Sequence, residues 1–183
     1  MAFQLPGMPG VVDPQVMAWF NAVDQDRSGR INAQELQTAL QSGNGRRFSD
    51  SACRLMISMF DGGVGSIDLN GFAELYKFVN QWIDTFKRLD ADGSGFIDRS
   101  ELAQAMKLMG YNFPVTFTDL LVMKFGRQRP GYGLAVDEFI MACILIHNLT
   151  ASFRLKDPYS QGTITIRHEE LLTMCLNTLS MTT

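Results

Sequence analysis

Asp24–Glu35 reads DQDRSGRINAQE and Asp90–Glu101 reads DADGSGFIDRSE, and this repeated pattern restricts the chain more than any other feature of it. Both stretches place oxygen-bearing side chains at positions 1, 3, 5, 9 and 12 and a glycine at position 6. A hard divalent cation takes roughly six to eight oxygen ligands, and a short segment supplies them only by wrapping around the ion between two helices. Gly29 and Gly95 permit the sharp turn, and the backbone carbonyls of Arg30 and Phe96 at position 7 can ligate whatever their side chains are. Glu35 and Glu101 reach back from the exit helix and can bind through both oxygens, which suits calcium better than the smaller, octahedral magnesium. The candidate ligands are Asp24, Asp26, Ser28, Arg30, Asn32 and Glu35 in one stretch, and Asp90, Asp92, Ser94, Phe96, Asp98 and Glu101 in the other. Two calcium sites are expected, with magnesium as a competitor. The second carries four carboxylates against three in the first, where Asn32 takes position 9, so it should bind at least as tightly.

Weaker versions of the same unit recur along the chain. Loops span residues 24–35, 61–71, 90–101, 126–138 and 157–168, each with an aliphatic near its eighth position (Ile31, Ile67, Ile97, Leu134, Ile164). These aliphatics are expected to point inward and to join neighbouring loops as short strand pairs. The spacings between loop starts alternate between long and short, and the short ones leave no room for two helices and a linker. One helix must therefore leave one loop and enter the next. Phe72–Leu89 fits, with an apolar stripe of Phe72, Leu75, Phe78, Val79, Trp82, Ile83, Phe86 and Leu89, and Phe139–Phe153 repeats the arrangement. Five EF-hand helix-loop-helix units on about eight helices make an all-α domain over residues 13–183. It is preceded by a short Pro/Gly/Met tail over residues 1–12, and Asp13-Pro14 reads as an N-cap with Pro at the first helical position. Three loops depart from the ion-binding pattern. The second is a residue short and ends in Gly71; the fourth has Arg127, Arg129 and Pro130 where oxygens are needed and is a residue long; the fifth has Tyr159 at position 3 and His168 at position 12. They read as pairing partners rather than ion sites.

The net charge of −3 and the sequence pI near 5.3 supply no basic patch for phosphate neutralisation, so no nucleic-acid partner is expected. Cys53, Cys143 and Cys175 are odd in number, widely spaced and form no CxxC, which points to buried reduced thiols rather than disulfides or zinc ligands. No apolar run of membrane-spanning length is present, Ala2 stands where N-myristoylation requires glycine, and the first residues lack the build of a signal peptide. A cytoplasmic protein is the expectation, with calcium-dependent recruitment to membranes. His147 and His168 sit near no partner expected to make a catalytic group, so no enzyme is read here.

The stretches FNAVDQDRSGRINAQELQTAL, RLMISMFD, FKRLDADGSGFIDRSELAQAM, KFGRQRPGYGLAVDEFI and LTASFRLKD resemble the penta-EF-hand family, within it the branch formed by the programmed-cell-death-6 type and peflin. The resemblance covers nearly the whole chain. It implies calcium at the first and third loops, dimerisation through the fifth (with itself or with a related chain), and an adaptor that binds Pro-rich segments of membrane-trafficking or cell-death proteins when calcium rises. It also leaves open a non-catalytic regulatory subunit of a calpain-like protease, since the family includes one; a passive buffer is a further alternative. Asn112 stands where the programmed-cell-death-6 type has an arginine beside its peptide pocket, and His168 replaces an aromatic, so partner choice is expected to differ. On the residues alone, a cleft for such a peptide is expected where Tyr111–Pro114 faces Trp82 and Phe86, opened as Glu101 draws its exit helix toward the ion.

Overall fold

A computed structural model describes residues 13–40, 47–127 and 132–179. The residues read above as an N-terminal tail, and Arg129 and Pro130 of the fourth loop, lie outside them. Among the described residues the chain is all-helical: α1 Pro14–Val23, α2 Ala33–Ala39, α3 Asp50–Ser58, α4 Leu69–Leu89, α5 Arg99–Leu108, α6 Val115–Phe125, α7 Val136–Lys156 and α8 His168–Leu179. Local chemistry explains the boundaries. Asp13 caps α1, its side chain accepting from the Gln15 N–H at 2.8 Å, with Pro14 at the first helical position. Asn32 and Asp98 cap α2 and α5 in full capping boxes with Glu35 and Glu101.

The two shared helices are present and longer than their apolar stripes. At 21 residues each, α4 and α7 leave one loop and enter the next without interruption. They cross in the core, where Trp82 and Phe86 of α4 both meet Phe139 of α7 edge-on, at 5.7 and 5.9 Å between ring centroids. Phe20 of α1 meets Phe72 of α4 at 5.7 Å. Met56 and Met106 are buried with them. Trp82 and Phe86 are thus core residues, buried against Phe139 rather than facing Tyr111–Pro114 in an open cleft. Tyr111 instead stacks on Phe113, which tilts against Phe117.

The strand pairs expected between loops do not form. Ile31 pairs with Ile67, and Ile97 with Leu134, as isolated antiparallel bridges with N···O distances of 2.8–2.9 Å. The reason is local: each of these residues is followed at once by the residue that caps the next helix, so no extended backbone remains to lengthen the pair. Cys53 and Cys143 are buried as expected, whereas Cys175 is half-exposed.

Candidate metal centre

In the first loop, Asp24 anchors the turn. Its Oδ1 accepts from the Ser28 N–H at 3.0 Å and its Oδ2 from the Gly29 N–H at 2.9 Å. Asp90 repeats this with Ser94 and Gly95, both at 2.9 Å. Gly29 and Gly95 sit at φ +75° and +78°, a region that side chains with a Cβ rarely adopt, which is why position 6 is glycine. At the far end, Glu35 Oε1 accepts from the Gln25 N–H at 3.0 Å and Oε2 from the Asn32 N–H at 3.1 Å. Glu101 does the same with Ala91 and Asp98 at 2.8 and 3.0 Å. The backbone therefore aims both ends of each loop inward.

Three carboxylates converge in each loop: oxygens of Asp24, Asp26 and Glu35 lie within 4.8 Å of one another, as do those of Asp90, Asp92 and Glu101. Ser28 Oγ donates to the Arg30 carbonyl at 2.9 Å, and Ser94 Oγ to that of Phe96 at 3.0 Å, placing positions 5 and 7 side by side. Asp98 is not among the converging carboxylates, and the side chains of both Asn32 and Asp98 are engaged as helix caps. Hydrogen bonds from Ser28, the side chain first and the N–H second, hold Asp26 below the usual carboxylate range, and Ser94 does the same for Asp92. An all-oxygen set of converging carboxylates, hydroxyl and carbonyl fits a hard divalent cation.

Among the described residues the other loops show no such convergence, and the reasons are local. In the second, Gly71 occupies the place of the closing glutamate, and a Cβ there would lie 3.1 Å from both the Phe60 carbonyl and the Ile67 Cβ. Both contacts are tighter than a side chain's Cβ usually makes, so a residue larger than glycine would press on its neighbours there. In the fourth, Glu138 does close the loop, its oxygens accepting from the Arg127 and Ala135 N–H groups at 2.7 and 2.9 Å. Its opening position is Gly126, where a Cβ would sit 2.6 Å from the Val122 carbonyl, so no aspartate fits.

The fifth loop differs from its reading in sequence. Asp157 is braced like Asp24 and Asp90, by the Gln161 and Gly162 N–H groups at 2.8 and 2.7 Å. The closing glutamate, however, is Glu170 and not position His168: its Oε2 accepts from the Arg167 N–H at 2.9 Å, the contact that Asn32 and Asp98 make to Glu35 and Glu101. The loop is two residues longer than twelve, and Ile166, not Ile164, precedes the helix. Counting fixed positions from Asp157 missed this; aligning from the helix start, on the R-x-x-E spacing, would have found it.

The sequence matches the "EF hand" family description over residues 16–40 and the "EF-hand domain" description over residues 81–110. It is 38% identical to sorcin of Schistosoma japonicum over 155 residues, covering 84% of this chain and 90% of sorcin. The chain belongs to the penta-EF-hand family. It is also 42% identical to human peflin over 169 residues, 92% of this chain; it spans only about three-fifths of that relative, 60% of its length. A solved structure of a homolog of programmed cell death 6 protein from Leishmania major superposes with a TM-score of 0.78 at 29% identity, covering 89% of this chain and 93% of that one. Within that family it is similar to peflin in sequence and to the programmed-cell-death-6 homolog in structure, and like these relatives it is not an enzyme.

Proposed function

We propose that this calcium sensor binds calcium at two sites and acts as an adaptor for Pro-rich protein segments. The ligands are Asp24, Asp26, Ser28, Glu35 and the Arg30 carbonyl at the first site, and Asp90, Asp92, Ser94, Glu101 and the Phe96 carbonyl at the second. Asn32 and Asp98 contribute from position 9, where contact commonly runs through water. Magnesium competes less well because bidentate glutamate geometry does not suit it.

One observation supports the adaptor reading over a passive buffer. An apolar cleft of about 290 Å³ lies between α1, α2 and α4, lined by Trp19, Val23, Leu36, Leu40, Tyr76 and Ile83 among others. Trp19 and Tyr76 stand together at 4.7 Å between centroids, and Trp19 is 38% exposed. Extended Pro-rich peptides dock on aromatic-lined grooves of this kind. One wall is α2, the helix that Glu35 would pull as it closes on the ion, so occupancy of the first loop changes the width of the cleft. In this reading the first hand is the trigger, whereas the sequence pointed to the third. The test is a titration of a Pro-rich peptide followed by Trp fluorescence, with wild type, Trp19→Phe and Glu35→Gln, in calcium and in EGTA. Equal peptide affinity in calcium and EGTA would make the protein a buffer.

The same reading includes a dimer through the fifth hand, with a second copy or a related chain. Leu155, Tyr159, Leu171, Leu172 and Leu176 are exposed there, and no bridge occupies Thr163–Thr165. A cytoplasmic location with calcium-dependent recruitment to membranes through partner proteins, and no role in nucleic-acid binding, completes it.

A further inference from the structure

Three loops carry both an opening aspartate and a closing glutamate: the first, the third and the fifth. In the first and third, the second oxygen of the glutamate is held by the N–H of position 2, from Gln25 and Ala91. In the fifth, position 2 is Pro158, which has no N–H to give. The oxygen left over, Glu170 Oε1, is taken by the Lys156 ammonium at 2.8 Å. Lys156 is the last residue of α7 and Glu170 stands in the first turn of α8, so the contact ties the two helices of the hand across the loop.

We propose that the Lys156 ammonium is a built-in cation that stands in for calcium in the fifth loop and keeps the fifth hand closed whether or not calcium fills the other loops. The two extra residues of this loop let α8 start far enough on for Glu170 to reach back to the end of α7. The opening half keeps its ion-loop shape: Asp157 is buried and doubly braced, and Ser160 and Gly162 at positions 4 and 6 have φ of +54° and +75°, as Arg27 and Gly29 have +58° and +75°. The same lysine, and after it the Arg167 N–H, holds the Glu170 carboxyl below the usual carboxylate range, so it stays charged for the pair. In the first and third loops the positive charge would come from solution; in the fifth it is covalently part of the chain. The apolar faces of Leu155, Tyr159, Leu171 and Leu176 are then held in one arrangement at resting calcium. Where those faces form a dimer, a consequence that rests on the reading above, the dimer is independent of calcium and weakened by salt.

Amide hydrogen exchange on the full chain tests the latch without requiring the dimer. In EGTA, Lys156→Met and Glu170→Gln should each speed exchange of the α8 amides about two- to fivefold, the size set by a half-exposed ion pair, while Lys156→Arg retains protection. Wild-type α8 protection should be the same in calcium and EGTA, and 0.5 M NaCl should lower it in wild type but not in Lys156→Met. The proposal is overturned if Lys156→Met matches wild type at low salt, or if calcium raises α8 protection as much as it raises that of α2 and α5. Sedimentation of the same proteins separates the two readings: a monomeric wild type refutes the dimer while the exchange data still judge the latch.

Discussion

Glu101→Gln separates calcium binding from folding, and the two effects can be sized from the loop. In the calcium-free protein the substitution keeps one oxygen of the side chain and turns the other into an NH₂ group. That group can no longer accept from whichever of the Ala91 and Asp98 N–H groups it faces. The lost hydrogen bond to a charged acceptor costs about 1.5–3 kcal/mol. Against this, Asp90 and Glu101 carboxylate oxygens stand within 4.8 Å of each other. At that distance two like charges repel by about 1 kcal/mol in a water-like dielectric and about 3.5 kcal/mol at an effective value of 20, and these partly exposed groups lie toward the weaker end. The net loss is then about 0.5–2 kcal/mol, so the melting temperature in EGTA should fall by no more than about 8 °C. With calcium no such compensation exists. Losing the charged second oxygen costs on the order of 3 kcal/mol, or about 100-fold in Kd at that loop. Calorimetric titration should then show one site of ordinary affinity instead of two. The calcium-induced rise in melting temperature should fall to about half, since a site saturated at 100 times its Kd contributes about 2.7 kcal/mol. Two sites of unchanged affinity in the variant would refute the assignment. A large drop in stability in EGTA would show that the loop carboxylates hold the fold rather than wait for an ion.

Three other outcomes follow from the geometry. Asn32→Asp gives the first loop a fourth carboxylate and should tighten calcium there about three- to tenfold by calorimetry, with no change if position 9 does not contribute. Gly126→Ala puts a Cβ 2.6 Å from the Val122 carbonyl and 2.9 Å from that of Gly133, and should lower stability in urea by about 2 kcal/mol; an unaltered midpoint would mean the fourth loop can shift aside. Burial pushes the Cys53 thiol up to about 12 and raises that of Cys143 also, whereas Cys175 is half-exposed. A thiol reagent at neutral pH should therefore modify Cys175 first, and equally fast labelling of Cys53 would contradict its burial.

The two loops whose carboxylates converge, both shared helices and the Asp13-Pro14 start were legible because each is encoded within a few residues: an oxygen side chain at nearly every second position, an apolar stripe, a cap beside a proline. What escaped depended on register or on distant contacts. The closing role of Glu170 was hidden because a count from Asp157 presumes twelve residues, and only the helix start shows that fourteen are used. Gly71 and Gly126 read as missing ligands; the structure adds that a side chain would be crowded at Gly71 and has no space at Gly126. Trp82 is the instructive case. An aromatic on a shared helix beside a calcium loop suits a binding groove, but Phe139, 57 residues away, claims its face. Trp19 lines a cleft instead, and nothing near it in the sequence marks it out.

The uninterrupted run of α4 also limits how this chain can change length. The helix carries the second loop at one end and the third at the other, 21 residues and about 31 Å apart, with no hinge between them. Each residue of an α-helix advances the chain by about 100° of rotation, so the angular phase between the two loops is fixed by a residue count. Inserting or deleting a single residue anywhere in α4 would turn the calcium loop at Asp90 by more than a quarter-circle away from Leu134, its bridge partner. Length variation is tolerable outside the helix, where the 11-, 13- and 14-residue loops already show it, and the coupling between the halves is a matter of arithmetic as much as of packing.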